Sequence, residues 1–290
     1  MVNSNKKVVS FSGGRTSAYL CYLMKEKYGD DVDFVYMDTG AEHPKTYDFI
    51  RNVNDAFGLN LTCLRTKFNP ELGKANSYEV ISIDEIKHDL KPWVEMMKKY
   101  GTPYNPGGAF CTDRMKLVPW TKYLNEKYGK GCYSTYLGIR IDEPKRLKPR
   151  DGIVYLGDIS DFEKQDILDW WSEQDFNLEI EEHLGNCVFC IKKGINKVAL
   201  AIKDEPELAD RFNEILDVNE IRTVEKRKSP PLEMYRGRQS FGQIIATFKE
   251  HSRDEIASTI RGMKSYNSGS CSESCEVFIC ESNQGDLFDA

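Results

Sequence analysis

Lys7-Val8-Val9-Ser10-Phe11-Ser12-Gly13-Gly14-Arg15-Thr16-Ser17 stands near the start of this 290-residue chain. Its first five residues form a short β-branched run, and Ser12-Gly13-Gly14 punctuates it. Ala18, Tyr19, Leu20, Leu23 and Met24 then recur at helical spacing. The stretch therefore reads as strand, loop, helix. Gly13 and Gly14 let backbone N–H groups turn toward an anion with no Cβ in the way. The helix N-terminus adds a partial positive charge. Ser12, Thr16 and Ser17 bring hydroxyls, and Arg15 brings charge. The segment lacks the Gly-Lys-Ser/Thr ending of the common phosphate loop. It also lacks the Gly-x-Gly-x-x-Gly spacing of the dinucleotide fingerprint.

The same alternation continues outward. A strand is expected at 32–37, ending at Asp38-Thr39-Gly40, then a helix at 45–57 and a strand at 59–64. Further on come a helix at 116–127, strands at 133–139 and 153–156, and helices at 163–172, 197–216 and 252–263. Pro230-Pro231 separates the last two. Alternating strands and helices predict an α/β fold with a mainly parallel sheet and helices on both faces. A mostly helical C-terminal part follows. The expected organisation is a nucleotide-binding α/β domain over 1–180, a helical part over 181–264 and a tail over 265–290.

Forty Lys and Arg stand against 46 Asp and Glu, a net charge of −6, with 40% hydrophobic and 30% charged residues. That mix is globular. No run approaches the ~20 apolar residues of a membrane span. The first residues have too short an apolar run for a secretory signal, so a cytoplasmic location is expected. Nine cysteines in such a compartment point to metal, cluster or thiol chemistry rather than a disulfide framework. Residues 265–290 hold Glu273, Glu276, Glu281, Asp286 and Asp289 with no Lys or Arg, so nearly all the excess acidity lies there. A strongly basic nucleic-acid protein is excluded; a local basic groove is not.

Three further blocks sharpen the reading. Met37-Asp38-Thr39-Gly40-Ala41-Glu42-His43-Pro44-Lys45-Thr46 follows the second strand. Phe110-Cys111-Thr112-Asp113-Arg114-Met115-Lys116-Leu117-Val118-Pro119 and Leu137-Gly138-Ile139-Arg140-Ile141-Asp142-Glu143 with Arg146 come later. In this order, with the Ser-Gly-Gly-x-x-Ser loop, the blocks resemble the phosphoadenylylsulfate (PAPS) reductase family of the PP-loop, or N-type ATP pyrophosphatase, class. The resemblance runs from residue 8 to about 193. It implies an adenine nucleotide, ATP or a sulfonucleotide, at the C-terminal edge of the sheet, where open α/β sheets generally bind ligands. Ser12 to Ser17 would hold the phosphates. Asp38, Thr39 and Gly40 would face adenine and ribose, or Asp38 would hold Mg²⁺. Lys116 and Arg140, inside motifs, would bind or activate the anionic group.

Arg140, Lys145, Arg146, Lys148 and Arg150 form a basic stretch suited to phosphate or sulfate. For Lys145, Lys148 and Arg150 a solvated loop is an equal reading. A second basic run, 222–238, could contact a nucleic-acid backbone or serve as a solubilising face. Cys187-Val188-Phe189-Cys190 can hold a metal or a cluster edge, or act as a redox dithiol. Cluster-bearing members of the family have two adjacent cysteines in the earlier block; here Phe110 precedes Cys111. Three readings follow. Cys111, Cys187 and Cys190 hold a [4Fe–4S] cluster with one iron open; or a fourth cysteine, from the tail or Cys132, completes a cluster or zinc site; or these are ordinary thiols. Cys21 and Cys63 read as core.

Family reductases carry a nucleophilic cysteine in a Glu-Cys-Gly-Leu-His ending. This chain has Ser274-Cys275-Glu276-Val277-Phe278 instead. Acidic neighbours oppose a low thiol pKa at Cys275. The activities expected are thiol-dependent reduction of a sulfonucleotide, with Cys275 as nucleophile, or ATP-dependent sulfur transfer to a nucleic acid or small molecule. A non-catalytic nucleotide-binding subunit is a third class. The partners implied are a nucleotide substrate, a thiol reductant or sulfur donor, and in the second case a nucleic acid.

Overall fold

Val8, Val9 and Phe11 are buried on both faces of their strand because helices cover both faces of the sheet there. In the computed structural model, β1 (Lys6–Phe11) pairs in parallel with β2 (Val32–Asp38) on one side and with β7 (Tyr133–Leu137) on the other. The structure describes residues 5–102, the backbone of 104–105 and 108–109, and residues 111–216 and 233–262. The six-stranded order is β4-β3-β2-β1-β7-β8, with β3 at Thr62–Lys67, β4 at Ser77–Ile81 and β8 at Ile153–Tyr155. All pairs are parallel except the β3–β4 edge. Tyr104–Asn105 and Gly108–Ala109 (β5 and β6) form a separate two-stranded ribbon.

Helices α1 (Arg15–Tyr28), α2 (Pro44–Phe57) and α5 (Lys164–Ser172) pack with the sheet in one apolar cluster containing Phe11, Leu20, Ile50 and Trp171. On the opposite side, Trp120 and Leu124 of α4 (Val118–Tyr128) meet Val8, Val35 and Leu64. A further core joins α3 (Lys91–Tyr100) to the C-terminal helices α6 (Ile195–Asp204), α7 (Pro206–Leu216), α8 (Phe241–Thr247) and α9 (Arg253–Gly262). The α/β fold with helices on both faces and a helical C-terminal part is thus present.

Several boundaries moved for local reasons. The strand expected at 59–64 begins at Thr62, because Gly58 caps α2 in the left-handed region and Asn60 sits at φ 52°. Asn54 Oδ1 accepts the Leu61 amide and completes that turn. The helix expected over 197–216 is two: Pro206 cannot continue α6, and Glu205 leaves helical geometry at φ −128° and ψ 63°. The helix expected from 116 starts at Val118, preceded by a π-helical turn over Cys111–Leu117. Edge strand β4 and helices α3 and α8 had no expectation. Among the described residues, no helix is long and apolar enough to cross a membrane.

At the end of the sheet away from the Ser12–Ser17 loop, Asp33 accepts from Lys127 at 2.8 Å and from Tyr128, and pairs with Lys6 at 2.9 Å. Burial opposes its ionisation, but these hydrogen bonds outweigh burial and hold the carboxyl down at about 2. A lowered carboxyl stabilises the fold above its unfolded pKa near 4 and loses that contribution as pH falls toward 2. Asp33→Asn is expected to flatten the acid limb of the stability curve between those values, read by urea unfolding at stepped pH. An unchanged acid limb would count against this account.

Candidate functional site

The Ser12–Ser17 loop, expected to hold phosphates, follows the C-terminal end of β1. Gly13 turns there at φ 82°, and a Cβ on it would meet Ile50 Cδ1 at 3.0 Å and Thr46 Cγ2 at 3.1 Å. The serine hydroxyls brace the loop. Ser12 and Ser17 Oγ lie 2.8 Å apart, Ser17 Oγ donates to the Gly14 carbonyl at 3.0 Å, and the Ser12 amide donates to Ser17 Oγ at 3.2 Å. The first turn of α1 carries no acidic residue, so the helix dipole is not offset locally.

Ser12 to Thr16 line a cavity of about 190 Å³. Its walls come from Thr46 on α2, from Lys164, Ile167 and Leu168 on α5, and from the segment between Leu178 and Asn186. Thr46 is buried, and its hydroxyl has no partner in the structure. Arg15 turns into the wall: Nε donates to Asn177 Oδ1 at 2.8 Å and Nη2 donates to the Leu178 carbonyl. Trp171 Nε1 donates to the Arg15 carbonyl at 2.9 Å. These bonds fix α5 and the following segment against the loop.

Arg140 arrives from the end of β7. Its Nη1 donates to Thr16 Oγ1 at 3.2 Å, while Asp142 Oδ1 accepts from Nε at 2.8 Å. Gly138 makes that approach possible, since a Cβ there would fall 2.9 Å from Ser17 Cα. Lys116 is buried in the π-helical turn, which Thr66 ties to β3 by donating to the Met115 carbonyl at 3.0 Å. Neither Lys116 nor Arg140 is among the residues lining the cavity, although Arg140 bonds to Thr16, which is.

Asp38 and Thr39 also lie away from the cavity lining. Asp38 is fully buried, and its Oδ2 accepts from Arg65 Nε at 2.9 Å and from Arg65 Nη2. Oδ1 accepts the Gly40 amide at 2.9 Å, and Arg65 Nη1 reaches Asp89 at 3.0 Å. Burial and neighbouring Glu42 push the Asp38 carboxyl up to about 6, against the pull of Arg65. A magnesium ion at Asp38 would have to displace the guanidinium, so this donor set does not fit one. The Thr39 hydroxyl lies 2.9 Å from both oxygens of Glu42 and 3.5 Å from Cys187 Sγ.

Glu42 leads to the cysteines. It bridges Cys187 in antiparallel fashion, and the Val188 amide donates to the Ala41 carbonyl at 3.0 Å. Cys187 is buried, its thiol 3.7 Å from Glu42 Oε1. Cys187, Cys190 and Cys111 pack in one apolar cluster, and Lys192 Nζ, 3.2 Å from Thr112 Oγ1, links their two segments. Lys193 is buried beside the pair and donates to the His183 and Val188 carbonyls at 2.6 and 2.9 Å. Burial pulls its ammonium down to about 8, while the Cys190 and Cys187 sulfurs pull the other way. A thiol pair beside a buried cation, with Cys111 in the same apolar cluster, supplies soft donors of the kind a thiolate-ligated group takes. Cys132 lies at the start of β7, the opposite edge of the sheet, and so cannot join them. Cys21 and Cys63 are core residues. Cys271, Cys275, Cys280, Phe110 and most of the 222–238 run lie outside the described residues.

The four histidines stand at 43, 88, 183 and 251, with no metal-ligand spacing among them. The fold nonetheless gathers His183, Asp204 and Glu181, with His183 Nε2 2.7 Å from Asp204. Arg253 takes both acids, at 2.6 and 2.7 Å.

Residues 6–151 match the model of the phosphoadenosine phosphosulfate reductase domain family, half of the chain. The chain belongs to that family. A nin region protein of Escherichia phage lambda, ORF290, itself uncharacterized, is 52% identical over 276 residues, spanning 93% of this chain and 94% of its own. An uncharacterized protein of Methanocaldococcus jannaschii is 28% identical over 133 residues, 46% of this chain but 22% of that one. A crystal structure of phosphoadenylyl-sulfate reductase from Candida auris, a phosphate complex, overlaps 59% of this chain and 74% of its own at 16% identity and a TM-score of 0.37.

The family blocks thus map onto one edge of the sheet. The cavity residues Thr46, Lys164, Glu181, Glu182 and Asn186 had not been singled out as site residues. Thr46 stood in a quoted block; for Lys164, 148 positions after Thr16 of the loop, nothing local signals a site.

Proposed function

We propose that this chain is an adenine-nucleotide-dependent sulfur enzyme whose nucleotide cavity opens beside a cysteine cluster. The observation that carries the reading is the continuity of one segment: Gly185 and Asn186 line the phosphate-loop cavity, and the next residue, Cys187, begins the cysteine pair. The loop amides, the α1 dipole and Arg140 would receive the phosphates. Cys111, Cys187 and Cys190 would hold a [4Fe–4S] cluster, which would supply a Lewis-acidic iron not ligated by protein. In the reductive reading, the thiolate of Cys275 attacks the sulfonate sulfur. An S–S bond forms, the S–O bond to the nucleotide breaks, and the adenosine phosphate leaves with the electron pair. A second thiol then attacks the cysteine sulfur, giving a disulfide and sulfite.

A second reading is ATP-dependent sulfur transfer, with pyrophosphate as the leaving group. It is favoured by the acidic residues Glu273 and Glu276 around Cys275, which disfavour the nucleophilic thiolate. Anaerobic incubation separates the two. Sulfite and adenosine phosphate from a sulfonucleotide plus thiol support reduction; pyrophosphate from ATP that depends on added nucleic acid or small acceptor supports transfer. Neither product from protein carrying about four irons would overturn both.

Arg140→Gln tests the nucleotide end directly. Removing a charge-assisted contact costs about 1.5–3 kcal/mol, so affinity for the nucleotide should fall roughly 10- to 100-fold, read by calorimetry. A change below threefold would remove Arg140 from the phosphate site.

A further inference from the structure

Arg15, the one arginine within the loop, donates its guanidinium to Asn177 and to the carbonyl of Leu178, which lines the cavity. A ligand with a single phosphate can rely on the loop amides and the helix dipole. An anhydride carries a further anionic group that needs another cation in a confined space. Lys164 lines the same cavity, at the first residue of α5. Its side chain is 45% exposed, and its ion pair with Glu182 is long, at 3.4 Å. Glu182 has a closer partner in Lys197 at 2.8 Å, so it remains neutralised if Lys164 leaves. The bonds from Trp171 to the Arg15 carbonyl and from Arg15 to Asn177 hold α5 in register with the loop.

We infer that Lys164 exchanges Glu182 for the anionic group beyond the α-phosphate, a β-phosphate or a sulfonate, and so selects adenosine anhydrides over the monophosphate. The inference rests on the adenine-nucleotide reading of the cavity. The test is calorimetry of the full chain, prepared anaerobically, with AMP, ATP and adenosine 5′-phosphosulfate, comparing wild type with Lys164→Gln and Lys164→Arg. Wild type should bind at least one anhydride about tenfold more tightly than AMP, the scale of one charge-assisted contact. K164Q should lose most of that preference while AMP affinity changes less than threefold, and K164R should retain it. Loss confined to ATP identifies a β-phosphate as the group read; loss confined to the phosphosulfate identifies a sulfonate. Equal loss for all three ligands, or no loss, overturns the role of Lys164 and leaves the nucleotide reading standing. Failure of wild type to bind any of the three overturns the nucleotide reading and this inference with it.

Discussion

Arg65→Leu should destabilise the protein by about 3–5 kcal/mol, the range for removing one partner of a buried ion pair. Arg65 is the cation for two acids. Asp38 is completely buried and Asp89 nearly so, with side-chain exposures of 0% and 10%. Leucine would fill much of the space but would leave both carboxylates without a guanidinium. The effect should depend on pH in a defined direction. Burial and Glu42 already raise the Asp38 carboxyl to about 6 from an unfolded value near 4. For a raised carboxyl, ionisation opposes folding: its contribution is favourable below about pH 4 and declines as pH rises through 6. Without Arg65 the ionised form is worse still, so the deficit of the variant should grow between pH 5 and 8. Urea unfolding across that range measures it. A deficit under 1 kcal/mol, or one that shrinks with rising pH, would show that the pair is not what holds the ends of β2 and β3 together. Adding Asp38→Asn and Asp89→Asn should recover part of the loss.

Gly138→Ala should separate β7 from α1. The added Cβ would lie 2.9 Å from Ser17 Cα and 3.0 Å from Ser17 N, and both are backbone atoms at the start of a helix. Neither can rotate away as a side chain could. Overpacking of this kind costs about 1–3 kcal/mol. The functional loss should exceed the stability loss, because the shift moves Arg140 off Thr16, a contact now at 3.2 Å. Nucleotide affinity should fall by more than about tenfold. Gly242→Ala is the control: nothing lies within 4 Å of its would-be Cβ, and it sits in a helix, where alanine is favoured by roughly 0.5–1 kcal/mol. If G138A binds nucleotide as wild type does, the close contact between β7 and α1 does not position Arg140.

The two predictions differ in how far they could be read ahead. Gly138 stood inside a block that marked it, next to Arg140, and its neighbourhood with the loop follows from parallel strands sharing one C-terminal edge. The partnership of Arg65 with Asp38 did not. Arg65 fell just past the strand expected at 59–64, in a stretch with no motif, and the charge of Asp38 suggested a ligand rather than a neighbour on β3.

The chain's local patterns determined a good deal. The β-branched run ending in Ser12-Gly13-Gly14, repeated strand–helix alternation, and glycines and prolines at turns and helix ends specify elements through forces acting over a few residues. The ordered blocks around Cys111, Arg140 and the Ser12–Ser17 loop stood out in the sequence, and the fold brings them to one end of the sheet. Tertiary structure alone decided which distant groups the charged and polar side chains meet. Arg15 turns to Asn177, 162 residues on; Thr39 and Glu42 meet Cys187; Lys164 reaches the cavity beside Glu182. The reason is electrostatic. In a low-dielectric interior a buried charge must find a partner, and that partner is set by which distant segments the sheet brings together, not by residues adjacent in sequence.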